Sequence, residues 1–400
     1  MPPAPTTTKM LTASTNGTIL KSHDDFHLDD AVTNGKSTVA NGNSLNDGGV
    51  SKRTNAGGKQ EVATEKEVDM HGEDGKVEIV WRNIILFTYL HSAALYGGYL
   101  WLSGQVMWQT FLWALMFYTM SGFGITAGAH RYWAHKAYKA KTPLRLLLAY
   151  MQTVAFQNHI YEWCRDHRVH HKFTETHADP HNARRGFFFA HVGWLLCKKH
   201  EAVKVKGKSV DMSDLEQDPI VAFQRKYYIP LVLTICFFIP TIVPPYFWGE
   251  KSSTAWYFAA MFRYCATLHC TWLVNSAAHL WGPRPYDKTI NPAENKSVAW
   301  WAFGEGWHNY HHVFPWDYKT AEVGIYRYNF SAAFIDFMAK IGWAYDLKTV
   351  PEKIVKQRVA RTGDGSHPDH VHSGPWGWGD KEIPDADAEI TEILHRRSEE

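Results

Sequence analysis

The sequence predicts an all-α integral membrane protein with four transmembrane helices and a helical cap on one membrane face. Two observations support this fold class. Four long runs of residues carry almost no formal charge, and about twenty apolar residues are enough to span a bilayer. Nine histidines stand at or beyond the ends of these runs, in four tight groups. The formal net charge of the 400-residue chain is only +2, so the local distribution of charge is more informative than the total.

The four apolar runs form two helical hairpins. The connections within the hairpins, residues 103–104 and 249–253, are so short that both must lie on the same side of the membrane. Arg263 is the formal charge inside the fourth run, and we expect its long side chain to reach toward the interface on that side. The predicted transmembrane segments are residues 84–102, 105–129, 227–248 and 254–281.

Positive charge is concentrated between the second and third segments. Residues 130–226 contain seventeen Lys and Arg against nine Asp and Glu, a net of +8. Because an excess of Lys and Arg marks the cytoplasmic side of a membrane, residues 130–226 and 282–360 are predicted to form a cytosolic cap, with both termini on the same side. An alternative is that one or two runs are buried helices of a soluble core. The tight hairpins with Trp and Tyr at their ends favour the membrane.

Polar tails flank the predicted membrane domain of residues 76–360. Residues 1–75 are rich in Thr, Ser, Asn and Gly with almost no aromatic residues, so we expect them to be disordered. They lack the charged start and apolar core of a secretory signal peptide. Residues 361–400 are predicted to be a second polar tail. The five cysteines contain no C-x2-C pair and are expected to be reduced rather than disulfide-bonded.

The spacing of the histidines is typical of a metal centre. One group is H-x4-H, two groups are H-x2-H-H, and one histidine ends the fourth run. Residues three and four apart share one face of a helix, so each triplet can aim at least two imidazoles at one point. Nine imidazoles exceed the four ligands of a typical zinc site, and two metal ions fit better. The candidate catalytic residues and ligands are His130, His135, His167, His170, His171, His279, His308, His311 and His312.

Each motif alone has a simpler explanation, such as a polar cap at a membrane helix or a solvated basic face. Four such groups at one membrane face would require a coincidence, so ligation is the preferred interpretation. A hydrolytic zinc site needs about three ligands and an open position, whereas two irons that activate O2 would use nine ligands more naturally. Ligating histidines usually donate their second N–H to a nearby group, and the nearby carboxylates are Glu162, Asp166, Glu175, Asp179 and Glu305.

Together the motifs resemble the membrane acyl-CoA desaturases, specifically the stearoyl-CoA desaturases. His-Arg-Tyr-Trp-Ala-His (130–135), His-Arg-Val-His-His (167–171), Asn-Ser-Ala-Ala-His (275–279) and His-Asn-Tyr-His-His (308–312) carry the resemblance, which covers about Trp81 to Gly365. It implies a four-helix membrane stem and two Fe ions held by the nine histidines, with Asn275 reaching one iron through water. It also implies O2 as co-substrate and electrons from cytochrome b5 and its reductase.

The substrate implied by the resemblance is a long-chain acyl-CoA, which receives a cis double bond, with Δ9 of a C16 or C18 chain as the expected position. The implied location is the endoplasmic reticulum membrane, where the protein contacts membrane lipid as a multi-pass protein with both termini cytosolic. No nucleic-acid partner is expected. Two other functions stay open from the residues alone: a related di-iron fatty-acyl or alkane hydroxylase, and a non-enzymatic metal-binding membrane protein.

The resemblance also implies a closed, bent tunnel for the acyl chain. Matching residues line its bend (Gln157, Trp163, Thr271, Trp272), its far end (Tyr118, Gly122) and the coenzyme A site (Asn83, Asn158, Arg165, Arg168, Lys199). Two positions depart from the family pattern. Gly122 stands where Ala is common, which predicts a roomier tunnel end, and His159 replaces a common Asp near the coenzyme A site. Outside the clusters, His91 and His269 are expected to be hydrogen-bonded core residues, and His367 to lie in a solvated tail.

Overall fold

The computed structural model describes residues 77–322, 328–368, 378, 383 and 385–391. The predicted disordered tail of residues 1–75 and most of the last thirty residues lie outside this part of the chain. The described residues are mainly helical, as predicted, and two short strands, β1 (Lys139–Ala140) and β2 (Ala344–Tyr345), pair antiparallel within the cap.

The helices follow one another through short connections. In chain order they are α1 (Trp81–Leu102), α2 (Trp108–Ala134), α3 (Thr142–Ala155), α4 (Ile160–Phe173), α5 (Phe187–His191), α6 (Glu201–Lys208), α7 (Ser213–Glu216), α8 (Pro219–Lys226), α9 (Tyr228–Trp248), α10 (252–275), α11 (Ala277–Leu280), α12 (Lys296–Trp301), α13 (His308–Val313), α14 (Phe330–Lys340), α15 (Glu352–Thr362) and α16 (Asp385–Ile390). Single 3-10 turns occupy Ala183–Arg185 and Gly193–Leu195.

Two of these helices, α2 and α9, are long and apolar enough to cross a membrane by length and composition. Helices α1 and α10 occupy the other two predicted segments, and α1 is 22 residues long. The helical state of all four segments is therefore as predicted, while the number of membrane crossings stays a prediction. The second helix runs five residues further than predicted and carries His130 inside it.

The two short connections lie side by side at one end of the helices. The Glu250 carboxylate accepts hydrogen bonds from the Met107 backbone N–H at 2.9 Å and from the Thr110 hydroxyl at 2.7 Å. The Trp248 indole also donates to the Thr110 hydroxyl at 2.8 Å. Both hairpin connections therefore lie at the same end of the helices, as their short lengths predicted.

Arg263 differs from the expectation that it extends toward the interface. It is only 2% exposed, and its guanidinium donates to the Cys236 carbonyl at 2.7 Å and to the Val154 carbonyl at 3.3 Å. Its charge also lies 5.8 Å from the centre of the Phe117 ring. Backbone carbonyls and an aromatic face replace water around the buried cation, because a helix packed on three sides leaves the side chain no route to the surface.

Segments of π-helix interrupt three of the long helices. They span Gly124–Ala134 in α2, Leu233–Phe238 in α9 and Ala255–Phe262 in α10. In α9 the π segment precedes Pro240, whose missing N–H would leave a carbonyl unpaired in a regular helix. Local widening keeps this proline-containing helix continuous.

The cap packs around the end of α2. Trp133 of α2, Leu148 of α3, Ile160 of α4 and Ile335 of α14 share one buried apolar cluster. His159, the departure from the family pattern, caps α4 because its Nδ1 accepts the N–H of Glu162 at 3.1 Å. Short polar side chains are common at the N-cap of a helix, and the His159 imidazole accepts the same kind of hydrogen bond here.

The folded part of the chain extends beyond residue 360. The Asp364 carboxylate accepts hydrogen bonds from the Arg284 backbone and the Ser366 hydroxyl. His367 is 7% exposed, and one of its ring nitrogens lies 2.6 Å from a Glu322 carboxylate oxygen. The expectation of a solvated His367 is therefore wrong, because the chain after α15 folds back onto the cap.

Candidate metal centre

The nine predicted histidines converge in two groups. In each group, one ring nitrogen per residue lies within 4.8 Å of the others. The group of five consists of His130, His135, His167, His171 and His311, and the group of four consists of His170, His279, His308 and His312. The two H-x2-H-H triplets are thus split between the groups, which the spacing alone did not reveal.

Helix geometry explains the split. On α4, His167 and His171 are four residues apart and face one group, while His170 is turned toward the other. On α13, His308 and His312 are likewise four apart and face the group of four, while His311 faces the group of five. Two helices with the same H-x2-H-H pattern, packed against each other, therefore build two sites at once.

The ring nitrogens that face each other are the Nε2 atoms. His130 Nε2 lies 2.9 Å from His311 Nε2, and His135 Nε2 lies 2.8 Å from His167 Nε2. In the group of four, the Nε2 atoms of His279 and His308 are 2.9 Å apart. Such contacts bring the nitrogens of each group toward one common point.

Carboxylates hold the outer nitrogens of three of these rings. His130 Nδ1 lies 2.8 Å from Glu305, His170 Nδ1 lies 2.9 Å from Asp179, and His279 Nδ1 lies 2.9 Å from Glu175. Three of the five nearby carboxylates thus serve as outer partners. The other two, Glu162 and Asp166, instead pair with the cations Arg165 and Lys199.

This arrangement fits a metal ion. A carboxylate accepts the Nδ1–H of a neutral imidazole, which leaves Nε2 as an unprotonated lone pair. Because His130, His170 and His279 are fixed in this tautomer, their bare Nε2 atoms point into sites made of further imidazoles. Converging lone pairs in a buried place repel one another unless a cation lies between them. The donor set is all nitrogen, which suits iron, zinc or copper.

The electrostatics of the site favour the neutral form of histidines in both groups, as His171 and His312 show. Burial lowers the pKa of His171 and His312 well below the ordinary value, and the neighbouring imidazoles lower it further. Burial alone would raise the pKa of the Asp179 carboxyl, but the His170 imidazole beside it holds that pKa well below its usual range. Neutral imidazoles and ionised carboxylates are the states that metal binding requires.

Arg131 is a supporting residue that the spacing did not single out. It is fully buried, and its guanidinium donates to Glu305 Oε1 from two nitrogens, at 3.0 and 2.8 Å. The other oxygen of Glu305 faces His130. Burial alone would raise the pKa of the Glu305 carboxyl, but Arg131 and then His130 hold it below the usual value. The sequence did contain a signal for this role, because Arg131 is a charged residue beside His130 and next to a predicted membrane segment.

Asn275, the predicted water-mediated ligand, is the last residue of α10 and lies four residues before His279. The neighbouring Ser276 is fully buried, and its hydroxyl bonds back to the Trp272 carbonyl at 2.8 Å. The helix breaks between α10 and α11 at this point, one turn before His279 of the group of four. The role of Asn275 as a ligand through water stays a prediction.

Several predicted tunnel residues line one cavity next to the group of five. Tyr118, Gly122 and Thr271 are in its wall, together with Val274 and Phe303. Glu305, the partner of His130, is also in the wall. Most of the lining is apolar, so the cavity suits hydrocarbon. Tyr118 donates to the Trp301 carbonyl at 2.8 Å, which holds its ring in place.

The residues predicted for the tunnel bend also lie near the histidines. Gln157 donates to the Thr271 hydroxyl at 2.9 Å. The Trp163 ring stacks on His167 with 4.9 Å between centres. Trp272 is buried and packs edge-on against Phe87 at 5.7 Å. Gln157 thus contacts a residue of the cavity wall, and Trp163 contacts a histidine of the group of five.

The missing side chain at Gly122 does not leave open space. A Cβ atom at this position would overlap the ring of Phe303. That ring lies 5.5 Å from Tyr118 and 5.3 Å from Phe123, centre to centre. The expectation of a roomier tunnel end at Gly122 is therefore wrong, because Phe303 fills the space that glycine leaves.

The residues predicted to bind coenzyme A differ in how available they are. Asn83 donates its amide to the Leu195 carbonyl at 2.7 Å. Arg165 and Lys199 share the carboxylates of Glu162 and Asp166. Asn158 adopts a left-handed backbone with φ of 65°. A polar pocket beside Lys199 is also lined by Arg185, Lys198 and His200.

Arg168 does not fit the predicted role. Its guanidinium donates to both oxygens of Asp214, at 2.8 and 2.7 Å. The remaining N–H groups donate to the carbonyls of Asp211, Trp133 and Ala134. Because a guanidinium has five N–H donors, and all five are used inside the protein, none is left for a phosphate. Arg168 holds the start of the cap to α2.

Two helices long and apolar enough to cross a membrane, two all-histidine groups and an adjoining apolar cavity are together what a membrane metalloprotein with an apolar ligand would need. The sequence profile described as fatty acid desaturase matches residues 107–348. The chain belongs to the fatty acid desaturase family. It is an enzyme, an oxygen-dependent oxidoreductase, and the predicted resemblance to the membrane acyl-CoA desaturases is confirmed.

Three relatives illustrate the match. The acyl-CoA Delta-9 desaturase of Acheta domesticus is 63% identical over 80% of this chain and 88% of that protein. The acyl-CoA Delta12-desaturase of the same organism is 58% identical over 82% of this chain and 90% of that protein. The stearoyl-CoA desaturase of Homo sapiens is 56% identical over 75% of this chain and 82% of that protein. The positions in these names differ, so family membership does not define where the double bond forms.

Proposed function

We propose that this protein desaturates long-chain acyl-CoA with two iron ions held by the nine histidines, one ion in each group. The observation that carries the proposal is the convergence of nine imidazoles into two groups beside a cavity lined by three of the predicted tunnel residues, Tyr118, Gly122 and Thr271. Asn275 is proposed to complete the group of four through a bound water. The reaction converts CH2–CH2 and O2, with two electrons and two protons, into CH=CH and two waters.

When bound, iron supplies the reduction of O2 and the removal of hydrogen from an unactivated C–H bond. The residues of the chain prepare the site. Glu305, Asp179 and Glu175 hold the protons on the outer nitrogens, so the inner nitrogens stay available to metal. The cavity next to Glu305 excludes water and holds the methylenes in contact with apolar walls, at about 0.8 kcal/mol for each buried CH2.

The substrate is proposed to enter with its coenzyme A on the cap. The polar pocket beside Lys199 presents the cations that suit phosphate groups, with Asn83, Asn158 and Arg165 as further contacts. The tunnel is proposed to bend at Gln157, Trp163, Thr271 and Trp272 and to end near Tyr118 and Gly122. Δ9 of a C16 or C18 chain is the proposed position, since the Delta-9 relative shares 63% identity with this chain against 58% for the Delta12 relative.

We further propose four membrane crossings, with the cap and both termini in the cytosol, in the endoplasmic reticulum membrane. The net charge of +8 in residues 130–226 supports this orientation, and so does the contact between the two short connections at one end of the helices. Electrons are proposed to come from cytochrome b5 and its reductase, because an acidic donor would dock on a basic cap by charge.

The test removes one histidine from each group. His171→Ala and His312→Ala should each lose at least one iron per chain after anaerobic reconstitution, and double-bond formation in a desaturase-deficient yeast should vanish. His177→Ala is the matched control for iron content, because His177 belongs to neither group, and it should keep two irons. Its activity is not part of the control, since His177 lines the polar pocket beside Lys199. Asn275→Ala should lower activity strongly but retain more iron than either histidine variant.

The same experiment can contradict the proposal. Full activity and two irons in His171→Ala would show that the group of five is not a ligand set. A wild-type protein that takes up only zinc under these conditions would contradict the oxidative function. A hydroxylated product in place of an alkene, located by mass spectrometry, would assign the related hydroxylase reaction instead.

A further inference from the structure

A second set of histidines lies inside the helical stem, apart from the nine. Hydrogen bonds join α1, α10 and the cap helix α5 in a single chain. His91 Nδ1 lies 2.6 Å from the Phe87 carbonyl, and His91 Nε2 lies 3.1 Å from His269 Nε2. His269 Nδ1 lies 2.9 Å from His191 Nε2, and His191 Nδ1 lies 3.0 Å from the Ser276 hydroxyl. The expectation that His91 and His269 are hydrogen-bonded is confirmed.

The number of hydrogens in this chain can be counted. The first carbonyl only accepts, so His91 Nδ1 carries the hydrogen and its Nε2 is a bare lone pair when the ring is neutral. At the other end, the Ser276 hydroxyl lies 2.8 Å from the carbonyl one turn earlier and donates to it. His191 then donates from Nδ1 to Ser276, and His269 donates from Nδ1 to His191. This leaves His269 Nε2 bare as well.

Two bare lone pairs therefore face each other across 3.1 Å. A cation between them resolves the repulsion, and the cation is either a proton or a metal ion. If the Ser276 hydroxyl instead turned its hydrogen to His191, the three rings would be satisfied without any cation. Three explanations of the contact between the two Nε2 atoms therefore remain: a shared proton, a metal ion, or a Ser276 hydroxyl turned toward His191. A further side chain beside the two rings favours the metal ion.

That side chain is Cys265. It lies one helical turn before His269 on α10 and is 6% exposed. Its sulfur and the ring nitrogens of His91 and His269 lie within 4.8 Å of one another. A thiolate with two imidazoles selects a soft cation, such as Zn²⁺ or Cu⁺. Zinc–nitrogen bonds of about 2.0–2.1 Å place two tetrahedral ligands roughly 3.3 Å apart, close to the separation of the two Nε2 atoms.

We propose that His91, Cys265 and His269 form a third metal site, for Zn²⁺ or Cu⁺, with its fourth position open. The outer nitrogens of both histidines are already held, by the Phe87 carbonyl and by His191, as in metal sites with an ordered outer shell. None of the three ligands belongs to the nine-histidine centre, so this site does not depend on the proposed iron centre.

The site would connect α1 to α10 directly behind a predicted tunnel residue. The Trp272 ring lies 5.1 Å from the His269 ring and 5.7 Å from the His191 ring, both edge-on. A metal between His91 and His269 fixes the His269 ring directly, and it fixes the His191 ring through the hydrogen bond between His191 and His269. The role of the ion in this position is to orient Trp272, a residue predicted for the tunnel bend, rather than to contact the acyl chain.

Cobalt is the probe that tests the site. Co²⁺ bound to a thiolate gives an intense charge-transfer absorption in the near-ultraviolet, which sites made only of histidine lack. Titration of the purified full-length protein in detergent should produce this band, saturating at one Co²⁺ per chain beyond the ions in the histidine groups. Cys265→Ser should abolish the band, and His269→Gln should weaken binding at least tenfold. Cys197→Ser is the matched control and should leave the band unchanged.

X-ray absorption of the protein as purified identifies the natural ion. A sulfur neighbour in the spectrum at the zinc absorption edge would identify Zn²⁺, and one in the spectrum at the copper edge would identify Cu⁺. The absence of the cobalt band in the wild type, or its persistence in Cys265→Ser, would overturn the proposal and leave a proton or a turned hydroxyl in the histidine chain. If Cys265→Ser fails to fold, the wild-type titration still decides, because only a bound thiolate produces the band.

Discussion

Replacing Gly122 with leucine should shorten the acyl chains that the enzyme prefers. The new side chain cannot fit beside Phe303, because even its Cβ atom would overlap the Phe303 ring. The ring is enclosed by Tyr118 and Phe123 on one side and by Phe330 at 6.1 Å on another. Either the ring or the leucine must therefore enter the cavity.

The magnitude follows from the methylenes that are displaced. Each CH2 that loses its apolar contacts costs about 0.8 kcal/mol, and 1.36 kcal/mol is tenfold in rate. Loss of room for two carbons, the difference between C18 and C16, should lower the C18-to-C16 ratio of kcat/KM by roughly 15-fold. Overpacking should cost a further 1–3 kcal/mol of stability, on the order seen for oversized core residues, without changing that ratio.

The assay is a competition between C14, C16 and C18 acyl-CoA at equal concentration, with products identified by mass spectrometry. Gly98→Leu is the matched control, because a Cβ atom at Gly98 also meets an aromatic ring, that of Phe262 at 3.3 Å, but Gly98 does not line the cavity. It should keep the wild-type ratio. A folded Gly122→Leu protein with an unchanged ratio would refute the reasoning and place the end of the tunnel elsewhere.

Three other changes test the surroundings of the site. Glu305→Gln keeps the shape beside His130 but removes the charge, so iron affinity should fall about 10- to 100-fold, whereas Glu162→Gln, whose carboxylate pairs with Lys199, should bind iron like the wild type. Burial raises the pKa of Glu294 to about 8, so its folded form keeps a proton that the unfolded form releases near its ordinary value. Thermal stability should thus fall as pH rises from about 4.5 to 8, by roughly 5 kcal/mol at most, and an equal slope in Glu294→Gln would contradict this. Turnover with a cytochrome b5 donor should fall when salt rises about tenfold, from roughly 0.05 to 0.5 M, because the Debye length then drops well below 10 Å. Salt-independent turnover would exclude docking by charge.

Much of the helical architecture could be predicted from charge and hydrophobicity, because long apolar runs have few alternatives to helix. The boundary of the second helix could not be placed so well. Its last residues, up to Ala134, are buried by α3 and α4 rather than by lipid, and they include Arg131. Residues distant in sequence therefore determine where such a helix ends. The position of the Arg263 side chain could not be predicted for the same reason, since it depends on carbonyls of other helices.

The spacing in the sequence predicted which nine histidines form the candidate metal centre, but it did not predict how they divide into two groups. His170 and His171 are neighbours in sequence and belong to different groups because successive residues on a helix differ by about 100°. Only the packing of α4 against α13 shows which face meets which. The outer carboxylates show a similar limit, because Glu175 reaches His279 across 104 positions of sequence, a contact that no local pattern contains.

The histidines outside the motifs show why spacing alone is an incomplete guide to metal sites. His91 and His269 are 178 residues apart and belong to no motif, yet their Nε2 atoms face each other as closely as those of the nine-histidine centre. What distinguishes the two places is their outer contacts. Carboxylates hold the rings around the proposed iron ions, whereas a carbonyl and a third imidazole hold the rings beside Cys265. An ionised carboxylate makes its histidine a stronger donor to a hard, redox-active ion, while neutral partners and a sulfur favour a soft one. Histidine would therefore serve two metal chemistries in this protein, and the groups that contact each ring would determine which metal it binds.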